Sequence, residues 1–422
     1  MGRHSSPQNQ PQQTDSPKNL TLPRLALLLG IALAGLASTV AVVFNWPNSQ
    51  ETEISDSFSA SSFNRTLVEG TVTLVDNNAC NSPSISTVFE GAPVTPLETP
   101  TQDCRRALVD ITSGDFAGQR TMLVTHGLPG EPDFEEGQKI LLSQTRTADG
   151  GTTMSFADYE RTTPLLVWGA VIVLALVLFA GWRGVRALVG LGVTLGMIGA
   201  FLLPALASGH DSALLAVITG ALVLLVVVPL VHGLNWKSAA ALGGTLLALL
   251  VAAGLTSIGL SSTGVRGLGD DENLTIMLYL PGVSVLGLLA AGFIIGTLGV
   301  LNDVTIAQAS TINELAELDP QATPWRLFLG AMKVGQDHIA SVVYTLVLSY
   351  TGAALPLLLL ISVAQRPLGE TLSSDVVATE LLRSGIGGLA LILAVPLTTL
   401  IAAWTVPERG SGERNDTGAQ QA

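Results

Sequence analysis

The chain has 422 residues, of which 48% are hydrophobic and only 13% are charged. Soluble proteins carry roughly a quarter charged residues, so much of this apolar surface must face lipid rather than water. The net charge of −13 is concentrated in residues 51–161, which contain 17 acidic and 7 basic side chains. Because such a surface repels the phosphates of nucleic acids, we expect no nucleic-acid partner.

The N-terminal residues are rich in Pro, Gln and Ser, and they predict a disordered cytoplasmic tail over residues 1–24. An uncharged apolar run follows from residue 25 to residue 44, and Trp46 lies just after it, where membrane-interface aromatics are common. A cleaved signal peptide is the alternative, but its apolar region is normally shorter. We therefore predict a signal anchor, with residues 25–46 as the first transmembrane helix.

Residues 47–163 have a different composition, and we predict that they form an extracytoplasmic β-rich domain. Residues 68–74 alternate between apolar or glycine positions and polar ones, which is typical of a half-buried strand. Shorter candidate strands at 107–112, 120–125 and 139–143 are separated by turns that contain glycine. These strands predict a small barrel, such as one of the OB type, or a sandwich, and residues 77–105 are expected to form a loop insertion.

The two cysteines of the chain, Cys80 and Cys104, lie at the two ends of this predicted loop. Two cysteines in an exported domain most often form one disulfide. Closing a loop of this length stabilises a domain by about 3–4 kcal/mol in the chain-entropy model. Two unpaired thiols are the alternative. No metal site is predicted, because no histidine lies close to the cysteines in sequence.

From residue 164 the chain is almost purely apolar, and about 20 such residues cross a bilayer. A break or a re-entrant piece is expected at Pro281-Gly282, because residues 275–301 are long for one span. Residues 407–422 are predicted to be a disordered cytoplasmic tail. The fold class is therefore an α-helical polytopic membrane protein of about eight transmembrane helices, with a small extracytoplasmic all-β domain between helices 1 and 2. Within residues 164–406 we predict seven spans, at about 164–181, 187–208, 212–232, 237–260, 275–301, 339–363 and 384–406.

The basic residues of the short loops predict the orientation in the membrane. Arg183, Arg186 and Lys237 follow the second and fourth spans, so these loops are expected on the cytoplasmic side. Basic residues in both tails predict cytoplasmic termini, in agreement with an even number of spans. We expect a multi-pass protein of the cell (plasma) membrane, with residues 47–163 outside the cytoplasm.

Residues 296–320 depart from the generic apolar pattern of the spans. At helical spacing Asp303, Ser310 and Glu314 lie on one face, and Gln308 and Thr311 adjoin it. A carboxylate beside an apolar span, with hydroxyls and an amide nearby, suits a cation or proton site. The alternative is a cytoplasmic amphipathic helix whose polar face is merely solvated.

A second polar pair, Asp337-His338, opens a later predicted span, and Thr345 continues its polar stripe two turns further on. Charged groups at such a depth are costly and usually face a cavity or a partner. Histidine titrates near neutral pH, so an adjacent carboxylate suits it for proton relay. Placement of both groups in the headgroup layer is the alternative.

These polar blocks carry a resemblance to a known family. The motifs GTLG (296–299), NDV (302–304), QAST (308–311), GQDH (335–338) and TLVLSY (345–350) resemble the YibE/F-like family of multispanning membrane proteins. The likeness extends over roughly residues 65–405. It implies an integral membrane protein of the permease type, and it implies neither a substrate nor established site residues.

The leading functional hypothesis is a permease for a small solute or cation, with no cofactor, in the lipid bilayer. Its expected binding residues are Asp303, Gln308, Ser310, Thr311, Glu314, Asp337, His338 and Thr345. The alternative is a sensor or assembly scaffold whose β-domain binds an envelope component or a membrane protein. An enzyme is not expected, because the sequence lacks HExxH and GxSxG motifs. An intramembrane hydrolase would have to use Asp303 and Asp337 as a carboxylate pair.

Overall fold

The computed structural model describes residues 21–47, 52–94, 103–147, 150–269, 271–364 and 366–406. It divides into two units, one built from the described parts of Met1–Glu53 and Arg186–Ala422, and the other from Ile54–Val185. The predicted disordered tails, apart from residues 21–24, lie outside the described residues. Residues 21–24 are the cap and the first turn of the first helix.

The β-rich part is one antiparallel sheet of six strands in the order β2-β4-β3-β1-β5-β6. The sheet curls into a half-barrel, because the Met154 N–H of the last strand donates to the Ser86 carbonyl, 2.8 Å away beside the opposite edge. Of the two predicted alternatives the partly open barrel is therefore correct and the sandwich is not. The strands are β1 Thr66–Ala79, β2 Val88–Phe89, β3 Asp103–Ile111, β4 Arg120–Thr125, β5 Lys139–Arg146 and β6 Thr152–Tyr159.

Strand β1 is the centre of this sheet, since it pairs with both β3 and β5. Its inward positions Val68, Gly70 and Val72 are buried, as the alternating pattern predicts. A Cβ at Gly70 would lie 2.7 Å from Val109 Cγ1, so glycine permits the close approach of the two strands here. The predicted loop insertion over residues 77–105 is too long, because the pairing of β1 with β3 continues as far as Ala79 and Asp103.

The rest of the chain is helical. Among the described residues, six helical segments are long and apolar enough to cross a membrane, or seven if the bent pair Pro324–Ala353 and Leu355–Val363 is one span. One of the six is a continuous piece, Thr162–Ala207, that covers two of the predicted spans and contains a non-helical residue, Gly181. The helices are α1 Leu22–Phe44, α2 Thr162–Met197, α3 Leu203–Ala207, α4 Ser212–His232, α5 Trp236–Thr263, α6 Asp271–Tyr279, α7 Val285–Leu318, α8 Pro324–Ala353, α9 Leu355–Val363, α10 Leu368–Leu372 and α11 Asp375–Thr405, with a π-helical turn at Ile198–Leu202 between α2 and α3.

Two predicted spans have different bounds in the structure. The break expected at Pro281-Gly282 is present, because α6 ends before it and α7 begins after it. Helix α7, however, continues well beyond the predicted end at residue 301. Helix α8 begins at Pro324 rather than at residue 339, since the Thr323 side chain caps it by accepting from the Arg326 N–H. At its other end the chain bends by 65° into α9.

Small residues allow helices of the bundle to pack closely. A Cβ at Gly244 of α5 would lie 3.0 Å from the Cα of Thr398 in α11, and a Cβ at Gly190 would lie 3.0 Å from Val227 Cγ1 in α4. Gly192 and Gly196 have no atom of the described chain within 4 Å of such a Cβ. Close helix contacts are therefore made at some of these glycines and not at others.

Arg24 fixes one end of the bundle. Its guanidinium donates to the carbonyls of Thr405 and Val406, at 2.8 and 3.3 Å, and lies 4.6 Å from the centre of the Trp236 ring. A cation suits this position, because the last carbonyls of a helix such as α11 are unsatisfied and carry partial negative charge. Arg24 thus joins the first turns of α1 and α5 to the last turn of α11, and this end is called the Arg24 end below.

Replacing Arg24 by glutamine should lower the stability of the bundle by about 2 kcal/mol, because hydrogen bonds from a charged, buried group are lost. Arg24 is only 6% exposed. Thermal unfolding in detergent measures the change, with Arg326→Gln as the matched control. The side chain of Arg326 is 76% exposed in its ion pair with Asp319, so its loss should change little. Equal losses in both variants would contradict this role of Arg24.

Candidate functional site

Asp303 lies near the middle of a long helix. Helix α7 has 34 residues. At 1.5 Å per residue, Asp303 is about 27 Å from its first residue and about 23 Å from its last. The polar residues after 301 thus continue the same helix. The location of the polar motif at the cytoplasmic ends of the membrane spans stays a prediction.

Asp337 also lies far from both ends of its helix. It is 13 residues after Pro324 and 16 residues before Ala353, which is about 20 and about 24 Å along the axis of α8. The rings of Trp325 and Phe328 stack at the start of this helix, with their centroids 5.1 Å apart. A cavity-facing position and a position in the headgroup layer both stay predictions for Asp337-His338.

Gln308 is the predicted site residue that the fold buries. It is 1% exposed, and its Oε1 accepts a hydrogen bond from the Thr399 hydroxyl of α11 at 3.0 Å. A Cβ at Gly335 of α8 would lie 3.0 Å from Gln308 Nε2, so the glycine makes room for the amide. Gln308 is thus held where α7, α8 and α11 meet.

Further buried polar groups, which the sequence reasoning missed, surround this level of the bundle. The hydroxyls of Thr245 in α5 and Thr305 in α7 lie 2.5 Å apart. Asn302 Oδ1 and Thr398 Oγ1 are buried with no hydrogen-bond partner among the described residues. The polar positions 302, 305 and 308 at three-residue spacing were the available signal. The buried polar belt is defined as Thr245, Asn302, Thr305, Gln308, Thr398 and Thr399.

The structure separates the carboxylates from this belt. Asp303 and Gln308 are five residues apart on α7, which turns their side chains about 140° from each other. Asp303, Glu314 and Asp337 are exposed on the bundle, and His338 is half-buried. Among the described residues, no hydrogen bond or ion pair joins any of these four groups to another side chain. The predicted set therefore does not form one cluster.

The predicted hydroxyl ligands bond mainly to their own helices. Thr311 donates to the Ala307 carbonyl at 2.9 Å, and Thr345 donates to the Ser341 carbonyl at 3.0 Å. Ser310 is half-buried and Thr345 is exposed. The hydroxyls of Thr311 and Thr345 therefore keep acceptor capacity only, which suits a cation as the ligand of their oxygens.

Helix α8 carries an exposed line of polar side chains at four-residue spacing. Residues four apart lie one above the other on a helix, so they form a continuous line about 24 Å long. The α8 stripe is defined as Lys333, Asp337, Ser341, Thr345 and Ser349, all of which are exposed.

The comparison with known families decides what kind of protein this is. The family model described as YibE/F-like protein matches residues 168–408, which is more than half of the 422 residues. The chain belongs to the YibE/F-like family. The resemblance inferred from the motifs is thus confirmed, and the matched range contains both the buried polar belt and the α8 stripe. No curated protein and no solved structure matches the chain.

The helical bundle of this YibE/F-like protein also has a cavity of about 890 Å³ at the Arg24 end. It lies between α1, the loop from α4 to α5, and the last turns of α7. Lys237 and Glu317 place opposite charges on its wall, and Asn313 Nδ2 donates to Glu317 Oε1 at 2.6 Å. The cavity is suited to a polar solute that approaches the bundle from this end.

The β-domain of the YibE/F-like protein lies before the matched range, and it contains the predicted disulfide between Cys80 and Cys104. Their Cα atoms are 5.3 Å apart, which is usual for a disulfide. The structure brings His126 to this pair, so that the three ligand atoms lie within 4.8 Å of one another. No histidine lies close to the cysteines in sequence, but the fold brings His126 beside them, because β4 ends beside β3 at Thr125. Both sulfurs are held in the disulfide, so neither is available as a thiolate.

Ion pairs organise the acidic surface of this domain. Arg106 donates two hydrogen bonds to the Asp76 carboxylate, and these bonds hold the pKa of Asp76 below its usual value. Arg120 pairs with Asp110 on the neighbouring strand at 2.8 Å. Many of the remaining acidic side chains are exposed, as Glu69, Asp115 and Glu135 are. The domain thus presents a negative surface to its surroundings.

Proposed function

We propose that this YibE/F-like protein is a permease that moves a small solute or cation along the polar side chains of α7 and α8. The observation that carries the proposal is the position of Asp303 and Asp337, each about 20 Å or more from both ends of a long helix. In the proposed arrangement these helices cross the membrane, where ionisable side chains are costly and mark ion or substrate paths. Helices that served only as anchors would not need a carboxylate at such a position.

The buried polar belt supports the same function. Unsatisfied buried polar atoms each cost about 1–3 kcal/mol, so the free oxygens of Asn302 and Thr398 favour contact with water or solute inside the bundle. Gln308 contributes a neutral amide between α7, α8 and α11. In this proposal Asp303, Asp337 and His338 bind or relay the cation or proton, and the belt supplies uncharged contacts. The cavity near Lys237 is the entrance from the Arg24 end.

The packing of α1 and α4 supports an even number of crossings between them. Arg24 at the start of α1 stacks on Trp236, which follows the end of α4. A Cβ at Gly35 in the middle of α1 would lie 3.7 Å from Leu225 of α4. The two helices are therefore antiparallel, so the chain leaves α1 and enters α4 at the same end of the bundle. An even number of spans must lie between them.

The piece Thr162–Ala207 can supply two of these spans, because its 46 residues are about 69 Å long. Its second part runs beside α4, from Gly190 against Val227 to Phe201 against Trp46 at the end of α1. That part therefore leads away from the Arg24 end, and an even number of spans requires one more from the segment before Gly181. Gly181 has φ +57°, which breaks the helix between the two. With α8–α9 as one span, the proposed total is eight.

The positions of the basic residues support an orientation of the bundle with the Arg24 end toward the cytoplasm. Arg24, Arg186 and Lys237 belong to the end of the bundle that the positive-inside rule assigns to the cytoplasm. The β-domain follows α1 and would then lie outside, where a disulfide persists. We propose the plasma membrane as the location, with both termini in the cytoplasm.

The permease is tested by complementing a deletion strain and measuring its ion and metabolite content. Wild type should restore a specific solute, and Asp303→Asn combined with Asp337→Asn should reduce that restoration at least tenfold. Glu370→Gln, which changes an exposed acid in the short helix α10, is the matched control and should behave as wild type. Full restoration by the double variant, at equal abundance in the membrane, would contradict the proposed role of the two acids.

A second candidate function rests on the β-domain. It has its own buried core and lies outside the family match, which favours a binding role separate from the spans. The proposal is a sensor or scaffold whose acidic surface binds a basic envelope component or membrane protein. Deleting residues 54–160 tests it: a lost phenotype with solute restoration intact would support the scaffold, and restoration lost together with the phenotype would speak against it.

A further inference from the structure

We propose that a second copy of this chain covers the α8 stripe, so that the polar path is completed at a two-fold interface between two copies. The stripe consists of Lys333, Asp337, Ser341, Thr345 and Ser349. The interface is argued from the stripe and from the proposed crossing of the membrane by α8–α9, and its role as a solute path rests on the proposed permease function.

Lipid cannot be the neighbour of this stripe. Lys333 and Asp337 are exposed, and within the described residues neither makes an ion pair or a side-chain hydrogen bond. In the proposed span α8–α9, Asp337 lies about 18 Å beyond Trp325, and an unpaired charge inside a span is strongly disfavoured. Lys333 is one turn closer to the interface, and Gln336 beside them is exposed as well. Such groups face protein or water in membrane proteins.

The remaining apolar helices of the same chain do not offer a matching surface. Residues 165–181, which precede the break at Gly181, contain only apolar side chains and glycine. Helix α9 has the sequence LPLLLLISV, in which one serine is the only polar residue. Neither segment can donate or accept the hydrogen bonds that Lys333 and Asp337 require. The neighbour of the stripe must therefore carry charges of its own.

A second copy of the chain carries charges that can pair with those of the stripe. Lys333 and Asp337 are one helical turn apart, so two parallel α8 helices around a two-fold axis along the membrane normal can place each lysine beside the acid of the other copy. Further along, Ser341, Thr345 and Ser349 are small and allow close approach of the helices. Thr345 and Ser349 already donate to carbonyls of their own helix. Their free lone pairs would line the interface.

Cross-linking of single-cysteine positions in native membranes tests the interface. Ser341→Cys lies in the stripe, and Ser257→Cys on the exposed side of α5 is the matched control. The native cysteines are joined in a disulfide and do not react with a thiol cross-linker. A short bifunctional maleimide should yield a species of twice the chain mass with Ser341→Cys and at least fivefold less with Ser257→Cys. Equal yields, or a monomer in both, would overturn the proposal.

Exchange of the charges tests the pairing itself. Lys333→Asp and Asp337→Lys, each added to Ser341→Cys, should lower the cross-linked fraction at least fivefold, and the double exchange should restore it. Membrane abundance of each variant is measured alongside, and the restored double variant shows that the exchanged residues are tolerated. Full cross-linking in both single variants would overturn the pairing.

The interface and the permease can fail independently. If cross-linking is absent while wild type still restores the solute, the interface is wrong and the permease stands. If cross-linking follows the charge exchange but wild type restores no solute, the interface stands and the permease is wrong. If a larger species contains a different protein instead of a second copy, the choice of occupant is wrong.

Discussion

Cys80→Ser is expected to lower the free energy of unfolding of the β-domain by about 3–4 kcal/mol. The bond joins residues 24 positions apart, and its removal restores the conformational freedom of that loop in the unfolded chain. It also frees the end of β1 from the start of β3, which it ties together beside their last paired residues. A barrel of this size cannot offset such a loss from its small core. Proteolysis of membrane-embedded protein at increasing urea concentration measures the shift in the midpoint.

The matched control for this prediction is chemical. Wild type treated with a membrane-impermeant reductant should unfold at the urea concentration of the variant, and the variant itself should not respond to the reductant. The same reagent tests the side of the membrane, since it reaches the bond from outside only if the β-domain is extracytoplasmic. A wild-type domain that already carries two free thiols in the cell would contradict both the stabilising role and the outer location.

Gly244→Ala is expected to destabilise the helical bundle by about 2–3 kcal/mol, because the added methyl group overpacks a tight helix contact. The new Cβ would lie 2.8 Å from the Cβ and 3.0 Å from the Cα of Thr398, and the backbone of α11 cannot rotate away as a side chain can. Helices α5 and α11 must therefore separate, which also disturbs Thr399 and its bond to Gln308. Thermal unfolding in detergent should show a midpoint several degrees lower.

Gly254→Ala on the same helix is the matched control. A Cβ at Gly254 has no atom of the described chain within 4 Å, so the substitution should be neutral or slightly stabilising through helix propensity. If Gly244→Ala were as stable as this control, the close packing of α5 on α11 would be wrong. Loss of solute restoration in Gly244→Ala alone, at normal abundance, would connect this contact to the buried polar belt.

The proposals lead to one physical description of the protein. The buried polar belt lies inside one copy, whereas Asp337 lies on a surface that a second copy would cover. Asp303 is exposed on the surface of α7. A path that uses both surfaces would place neutral groups on one side of α8 and charged groups on the other. The charge exchange between Lys333 and Asp337 tests this directly, because it preserves the net charge of the stripe.

The sequence by itself determined the class of the protein. A bilayer of fixed thickness requires about 20 consecutive apolar residues, and that property is visible in one dimension. The membrane class was therefore predicted correctly. The separate β-rich domain, the disulfide and the family were also predicted correctly, because composition, the number of cysteines and short motifs can be read along the chain. The alternation in residues 68–74 located the central strand for a similar reason, since the period of two depends only on the strand itself.

Only the tertiary structure decided which side chains meet. The sequence predicted one binding site that contains both Asp303 and Gln308. The fold instead buries Gln308 against Thr399 and leaves Asp303 exposed on the surface of the bundle. His126 approaches the disulfide because β4 pairs with β3, which no local pattern shows. The polar residues after 301 continue α7 because neighbouring helices α5 and α11 bury its Val304, Thr305 and Ile312, so packing overrides the rise in polarity. The depth of a residue in the membrane depends on where its helix begins and ends, and those bounds are set by contacts between helices far apart in the chain.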